Sequence, residues 1–188
     1  MNRLANFSRR HLLTASCIVV VEVLFYRQYA HLGAEFHFWL HSLFGAALGV
    51  TGVTLWQLIL PRKIIKLSAW EAGFLGHVYS AIPDILFIAV GVLHMYWMDV
   101  FALHITLHFV RQPILTMLVL FLLSLLAYGC LQSGQRRLSQ YVVVGWFIIL
   151  GGSLLLRHPL PHSLHQIRQP HHQYAWLCPM WDVPAYHN

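Results

Sequence analysis

Five apolar stretches dominate this chain, and each is long enough to cross the hydrocarbon core of a lipid bilayer, which is about 30 Å thick. They lie at residues 11–29, 37–60, 70–93, 112–132 and 139–157. Only 10% of the residues are charged and 58% are hydrophobic, which is outside the usual range for a water-soluble domain. The pattern therefore predicts an all-α integral membrane protein with five transmembrane helices in one bundle.

The basic residues predict the orientation of this bundle, because short cytoplasmic loops of membrane proteins collect Lys and Arg. In a five-span arrangement the larger group falls on the side of the N-terminus and consists of Arg3, Arg9, Arg10, Arg62, Lys63, Lys66, Arg136 and Arg137. The smaller group on the other side consists of Arg27, Arg111, Arg157 and Arg168. We therefore expect a multi-pass protein of the bacterial inner (plasma) membrane with a cytoplasmic N-terminus and an extra-cytoplasmic C-terminus. The net charge of +6 follows from this topology, so no nucleic-acid partner is expected.

Two segments fall outside the predicted spans. We expect residues 1–157 to form the bundle and residues 158–188, rich in His and Pro, to form an extra-cytoplasmic tail. This tail either folds back over the outer face, anchored by Trp176 and Trp181, or it collects metal ions or caps a site. Residues 94–110 are too short to cross the membrane and return, so they should lie on the outer face or dip into it, as a helix or a strand.

Histidines are concentrated on the predicted outer side, and two pairs of them have the spacing of metal ligands. His37 and His41 are one helical turn apart, a relation that lets two imidazoles share one ion. Interfacial anchoring of this segment is the competing explanation. His104 and His108 point the same way whether their segment is a helix or a strand, and His94 lies nearby.

The run GHVYSAIPDILF places polar groups in the middle of an apolar stretch. At about 100° per residue, His77, Ser80 and Asp84 share one face of a helix. An ionised carboxylate that faced lipid would cost at least a few kcal/mol, so Asp84 should face the bundle interior and have a partner there. Alternatively, a neutral Asp84 fills the hydrogen-bonding gap left by Pro83. Glu22 must also face inward, as a further ligand or a proton relay.

These side chains are predicted to converge at the outer end of the bundle, with Asp99 and His94 behind them. The converging set is His37, His41, Asp84, His104 and His108. Imidazoles and carboxylates suit Zn²⁺, and also Fe or Mn, whereas paired cysteines for a thiolate site are absent from the sequence. Asp84 or Asp99 would act as ligand or general base.

The runs GHVYSAIPDILF and HMYWMDVFALHITLHF resemble the pattern of small bacterial inner-membrane proteins classed as membrane-bound metal-dependent hydrolases. The resemblance covers residues 35–110 and implies as metal ligands His41, His77, Asp84, His104 and His108. Those proteins usually carry a His-Arg-Gly-x-Thr-His element, where this chain has His37-Phe-Trp-Leu-His41-Ser42. A looser similarity is to the alkaline-ceramidase superfamily, whose zinc site combines Ser, Asp and a His-x-x-x-His pair, but which has seven spans.

The leading functional hypothesis is a metal-dependent hydrolase at the outer membrane face, in which ion-bound water attacks an ester, amide or phosphoester of a lipid-like substrate. A redox subunit that holds b-type haem through His41 opposite His104 or His108 is an alternative. Two His-x-x-x-His pairs also suggest a histidine-box di-iron oxygenase, although its His-x-x-His-His element is absent from the sequence. The last alternative is an accessory or metal-delivery subunit, whose partner would be another membrane protein.

Overall fold

Five α-helices account for most of the computed structural model, which describes residues 9–60, 67–90 and 96–159. The helices are α1 (Arg9–His31), α2 (Glu35–Ile59), α3 (Ala69–Val90), α4 (Pro113–Gln132) and α5 (Arg136–Leu155). No strand occurs in these ranges, so the predicted all-α fold is confirmed for them. Four of the helices, α1, α2, α4 and α5, are long and apolar enough to cross a membrane.

Helix α2 is the centre of the bundle. It packs against α3 on one side and against α4 on another, while α5 packs mainly on α4 and α1 lies at the periphery beside α2 and α3. Leu40, Phe44 and Ala47 of α2 meet Met117 and Leu120 of α4 in the main apolar core. This central position explains why polar side chains on α2 are shielded from the surroundings on both sides.

Glycines allow α2 and α3 to approach each other closely. A Cβ atom added at Gly45 of α2 would lie 2.5 Å from the carbonyl oxygen of Gly76 on α3, and a Cβ at Gly76 would collide with the backbone of Gly45. Small residues at such a crossing let two helix backbones come into van der Waals contact. The crossing holds the polar residues of α2 and α3 near one another.

The segment between α3 and α4 is neither the continuous helix nor the strand that the sequence suggested. It forms two short 3₁₀ helices, Tyr96–Val100 and Thr106–Phe109. Between them Ala102 and Leu103 have left-handed φ values of 56° and 55°, which end any regular element. The segment folds onto the end of the bundle, where Leu107 is fully buried in the main apolar core.

Several predicted features lie outside the described residues. They are His94, which belongs to the gap at residues 91–95, and nearly all of the predicted tail, because the description ends at residue 159. Within the described part of the tail, His158 is exposed and its backbone N–H donates to the carbonyl of Phe109 at 2.8 Å. The end of α5 therefore lies beside the segment that carries His104 and His108.

Candidate metal centre

The first two turns of α2 provide one side of the site. His37 and His41 are four residues apart and therefore project from the same face of the helix, with ring centroids 4.4 Å apart. Their exposed fractions are 3% and 0%. The spacing in the sequence had predicted this pairing, and the burial of both rings argues against the alternative of interfacial anchoring, which would leave them at the surface.

Asp84 on α3 faces these histidines. His37 Nε2 donates to Asp84 Oδ1 at 2.8 Å, and the hydroxyl of Tyr29 on α1 donates to Asp84 Oδ2 at 2.6 Å. The carboxylate is fully buried. Helix α3 continues through the neighbouring Pro83 without interruption. The carboxylate oxygens thus bind side chains from two other helices, which supports the prediction that Asp84 faces the bundle interior.

The third element of the site is the segment from Tyr96 to Phe109, which we call the 3₁₀ segment. The side chain of Asp99 fixes its shape. Asp99 Oδ1 accepts the backbone N–H groups of Ile105 at 2.7 Å and Thr106 at 2.9 Å, and Asp99 Oδ2 accepts the Thr106 hydroxyl at 2.6 Å. These three bonds close a loop around Ala102, Leu103 and His104. As a result the His104 ring points into the bundle and is fully buried.

The orientation of the His104 ring is set by a backbone carbonyl. Because a carbonyl can only accept, His104 Nδ1 donates to the Ser80 oxygen at 3.0 Å. His104 Nε2 then faces Asp84 Oδ1 at 3.3 Å. In the neutral imidazole His104 Nε2 carries a lone pair, so this nitrogen and Asp84 Oδ1 could both ligate one metal ion.

Together these residues form a group that could hold a metal ion. One potential ligand atom from each of His37, His41, Asp84 and His104 lies within 4.8 Å of each of the others. We call these four residues the His/Asp cluster. His41 and His104 stack with ring centroids 3.8 Å apart and an interplanar angle of 12°. Three neutral imidazoles and one carboxylate are a donor set suited to Zn²⁺, and Fe or Mn can use the same donors.

His108 borders the His/Asp cluster on its more exposed side. Its Nε2 is 3.3 Å from Nε2 of His41, and its ring stacks on that of His37 with centroids 4.7 Å apart. The side chain is only partly buried, unlike the four members of the cluster. His108 is therefore the least buried histidine next to the cluster.

Two other predicted site residues lie in separate networks. His77, which the resemblance implied as a ligand, has Nδ1 2.7 Å from Glu22 Oε1 and Nε2 3.0 Å from Ser42 Oγ. Asp99, predicted as a catalytic acid or base, has both oxygens engaged by its own segment, as described above. Neither residue belongs to the group of potential ligands found among the described residues.

Tyr29 and Ser42 were not predicted from the sequence. Tyr29 is far from Asp84 in the chain, and a tyrosine near the end of a spanning helix is usually an interfacial anchor. A usable signal was its spacing from Glu22, since residues seven apart lie on the same face of a helix. Tyr29 and Glu22 both contact α3. The position of Glu22 alone would therefore have identified the inward face of α1.

Comparisons with known proteins identify no relative: no family model, no curated protein and no solved structure matches this chain. The resemblance to membrane-bound metal-dependent hydrolases therefore stays a prediction.

Proposed function

We propose that this protein is a membrane-embedded metal-dependent hydrolase, with a divalent ion held by the His/Asp cluster. One observation carries the proposal: three imidazoles and a carboxylate from α2, α3 and the 3₁₀ segment place potential ligand atoms within 4.8 Å of one another in a buried position. Ionisable groups inside a membrane bundle are energetically costly and are generally functional. The resemblance to membrane-bound metal-dependent hydrolases points to the same class.

The proposed setting is the outer face of a bacterial inner membrane, with all five α-helices spanning it. In this arrangement α1 ends, α2 begins, α3 ends and α4 begins near the extra-cytoplasmic interface. The excess of Lys and Arg on the opposite side supports that orientation. A cluster at this depth would meet the ester, amide or phosphoester groups of lipid-like molecules.

The chemistry requires a bound ion and nearby proton carriers. A divalent ion held by the cluster would supply a water molecule acidic enough to react near neutral pH, and Zn²⁺ is the first choice, with Fe or Mn as alternatives. His108 lies beside the cluster and is only partly buried, so one of its ring nitrogens would hold or release a proton there. Tyr29 and the Ser80 carbonyl would orient Asp84 and His104, respectively.

Turnover by the purified protein tests this function. Detergent-purified protein would be depleted of metal with a chelator, then assayed on lipid-like esters, amides and phosphoesters before and after addition of Zn²⁺, Fe²⁺ or Mn²⁺. We expect activity to vanish on depletion, to return with one of these ions, and to be lost in His104→Ala. His31→Ala, which removes an exposed histidine at the end of α1, is the matched control. Full turnover by metal-depleted protein would refute the proposal.

A second candidate is a metal-binding accessory or redox subunit without hydrolytic activity. The observation that favours it is the burial of all four members of the cluster, since a site closed by protein ligands suits electron transfer or storage better than substrate binding. Metal-loaded protein that turns over none of the three substrate classes would support this candidate. Haem is disfavoured within it, because the stacked rings of His41 and His104 leave no gap for a porphyrin. A Soret band in the purified protein would show that it binds haem.

A further inference from the structure

A second polar network lies deeper in the bundle, between α1, α2 and α3. Glu22 Oε1 is 2.7 Å from His77 Nδ1, and His77 Nε2 is 3.0 Å from Ser42 Oγ. His77 precedes Asp84 by seven residues on α3, which corresponds to about 10 Å along the helix axis. The network is thus separate from the His/Asp cluster, although Ser42 follows His41 in sequence.

The hydrogen bonds of this network have a defined direction. The carboxylate of Glu22 can only accept, so His77 Nδ1 carries hydrogen and donates to it. In the neutral ring, His77 Nε2 then presents a lone pair, and Ser42 Oγ donates its hydrogen to that nitrogen. A hydroxyl that donates to an imidazole, which in turn donates to a carboxylate, is the arrangement by which proteins activate a serine as a nucleophile.

The surroundings of the network suit this chemistry. His77 is buried, and the rings of Phe25 and Phe38 meet it edge-on with centroids 6.0 and 5.4 Å away. These apolar walls exclude water and strengthen the interaction of the ring with Glu22. Ser42 is only partly buried, and the side chain of Glu22 remains 28% exposed. Ser42 and Glu22 are thus both partly accessible, and the His77 ring between them is shielded.

We propose that Ser42, His77 and Glu22 form a serine-type acyl-transfer site that accepts carboxylic esters of lipids. Ser42 Oγ attacks the ester carbonyl carbon while its proton passes to His77 Nε2. The carbon–oxygen bond to the alcohol then breaks, and the leaving alcohol oxygen takes that proton, which leaves an acyl ester on Ser42. Water, deprotonated by His77, attacks this ester; the carboxylic acid leaves and Ser42 recovers its proton. Glu22 positions the His77 ring and stabilises its positive charge.

The preference for lipid esters follows from where Ser42 lies. Ser42 is within two turns of the start of α2, and α1 beside it exposes apolar side chains along much of its length, among them Val19, Val23 and Leu24. Such side chains on a spanning helix face acyl chains of the bilayer. The ester carbonyl of a lipid could therefore reach Ser42 beside α1 with its acyl chain still in an apolar environment.

The test is covalent labelling of the full-length protein in detergent by a fluorophosphonate with a long alkyl chain, followed by peptide mass spectrometry. We expect an adduct on Ser42 and none in Ser42→Ala. We also expect His77→Gln and Glu22→Gln to slow labelling, the former by about 100-fold or more, as loss of a general base does. Ser153 provides an internal control in the same digest, since it is a partly buried helical serine whose hydroxyl donates to the Leu150 carbonyl at 2.8 Å.

The outcomes separate this proposal from the proposed metal chemistry. Labelling of Ser42 should be equal before and after chelation, so it can succeed even if the His/Asp cluster binds no metal. The proposal is overturned if folded wild-type protein carries no adduct on Ser42, or if Ser153 is labelled as fast. It is also overturned if His77→Gln, with native elution and circular dichroism, reacts at the wild-type rate. If His77→Gln does not fold, the presence or absence of an adduct on Ser42 of the wild-type protein decides alone.

Discussion

At the residue scale, the geometry of the site depends on groups that can only accept a hydrogen bond. The Ser80 carbonyl must accept, so His104 Nδ1 must donate to it, and His104 Nε2 is left facing Asp84 Oδ1 at 3.3 Å. In the same way the carboxylate of Asp84 accepts from Tyr29, which holds its second oxygen in place. The sequence identified His104 and Asp84 as candidates because ionisable groups in apolar runs are conspicuous. It could not identify Tyr29, since nothing local marks its distant partner.

Replacement of Tyr29 tests the orientation of Asp84. Tyr29→Phe removes one hydrogen bond to the carboxylate and keeps the ring, so we expect metal affinity to fall about tenfold to 100-fold with little change in helical content. Titration with Zn²⁺ in the presence of a competing chelator measures this change. Tyr26→Phe is the matched control, because Tyr26 is an exposed tyrosine on the same helix that contacts Phe38 and Trp39. An equal loss of affinity in both variants would contradict the assigned role.

Replacement of Asp99 distinguishes its observed structural role from the catalytic role predicted from the sequence. Asp99→Ala removes three hydrogen bonds that shape the segment around His104, and we expect it to lose most of its metal affinity. Asp99→Asn retains an oxygen that can accept the two backbone N–H groups, so metal binding and turnover should largely return. If Asp99→Asn binds metal normally but has no turnover, Asp99 is the catalytic group after all.

At the scale of elements, the helices follow from the sequence and their contacts do not. Hydropathy located all five α-helices, because each apolar run must satisfy its backbone hydrogen bonds internally. The segment before α4 was not predictable, since its left-handed turn at Ala102 and Leu103 depends on Asp99 side-chain bonds and on packing against α2 and α4. The alternation of polar and apolar residues there reflects burial of a loop, which no periodicity rule describes.

The glycine crossing of α2 and α3 makes a prediction at this scale. Gly76→Ala forces a methyl group against the backbone of Gly45, so the helices must separate and the free energy of unfolding should fall by about 1–3 kcal/mol. Thermal unfolding in detergent, followed by circular dichroism, measures the effect. Gly52→Ala is the control, because a Cβ at this exposed position of α2 would meet no atom of the described chain within 4 Å. Equal stability of the two variants would show that the close approach is dispensable.

At the scale of the whole molecule, one central helix joins two polar networks. Helix α2 carries His37 and His41 toward Asp84, and it carries Ser42 toward His77, while α1 reaches the same networks through Tyr29 and Glu22. The sequence placed most of these residues on inward faces, whereas the resemblance to metal-dependent hydrolases assigned His77 to the metal. The spacing of residues shows which side of its own helix a side chain lies on. Which side chain it contacts depends on how the neighbouring helices are rotated and shifted, and no local sequence pattern shows that.

The central claim is that the His/Asp cluster binds one metal ion, and elemental analysis of detergent-purified protein tests it most directly. We predict one equivalent of metal per chain in the wild type and in His31→Ala. His104→Ala and Asp84→Asn should each contain about one equivalent less than the wild type. This difference excludes any ion that is bound elsewhere on the histidine-rich chain. The same metal content in all four folded preparations would contradict the account.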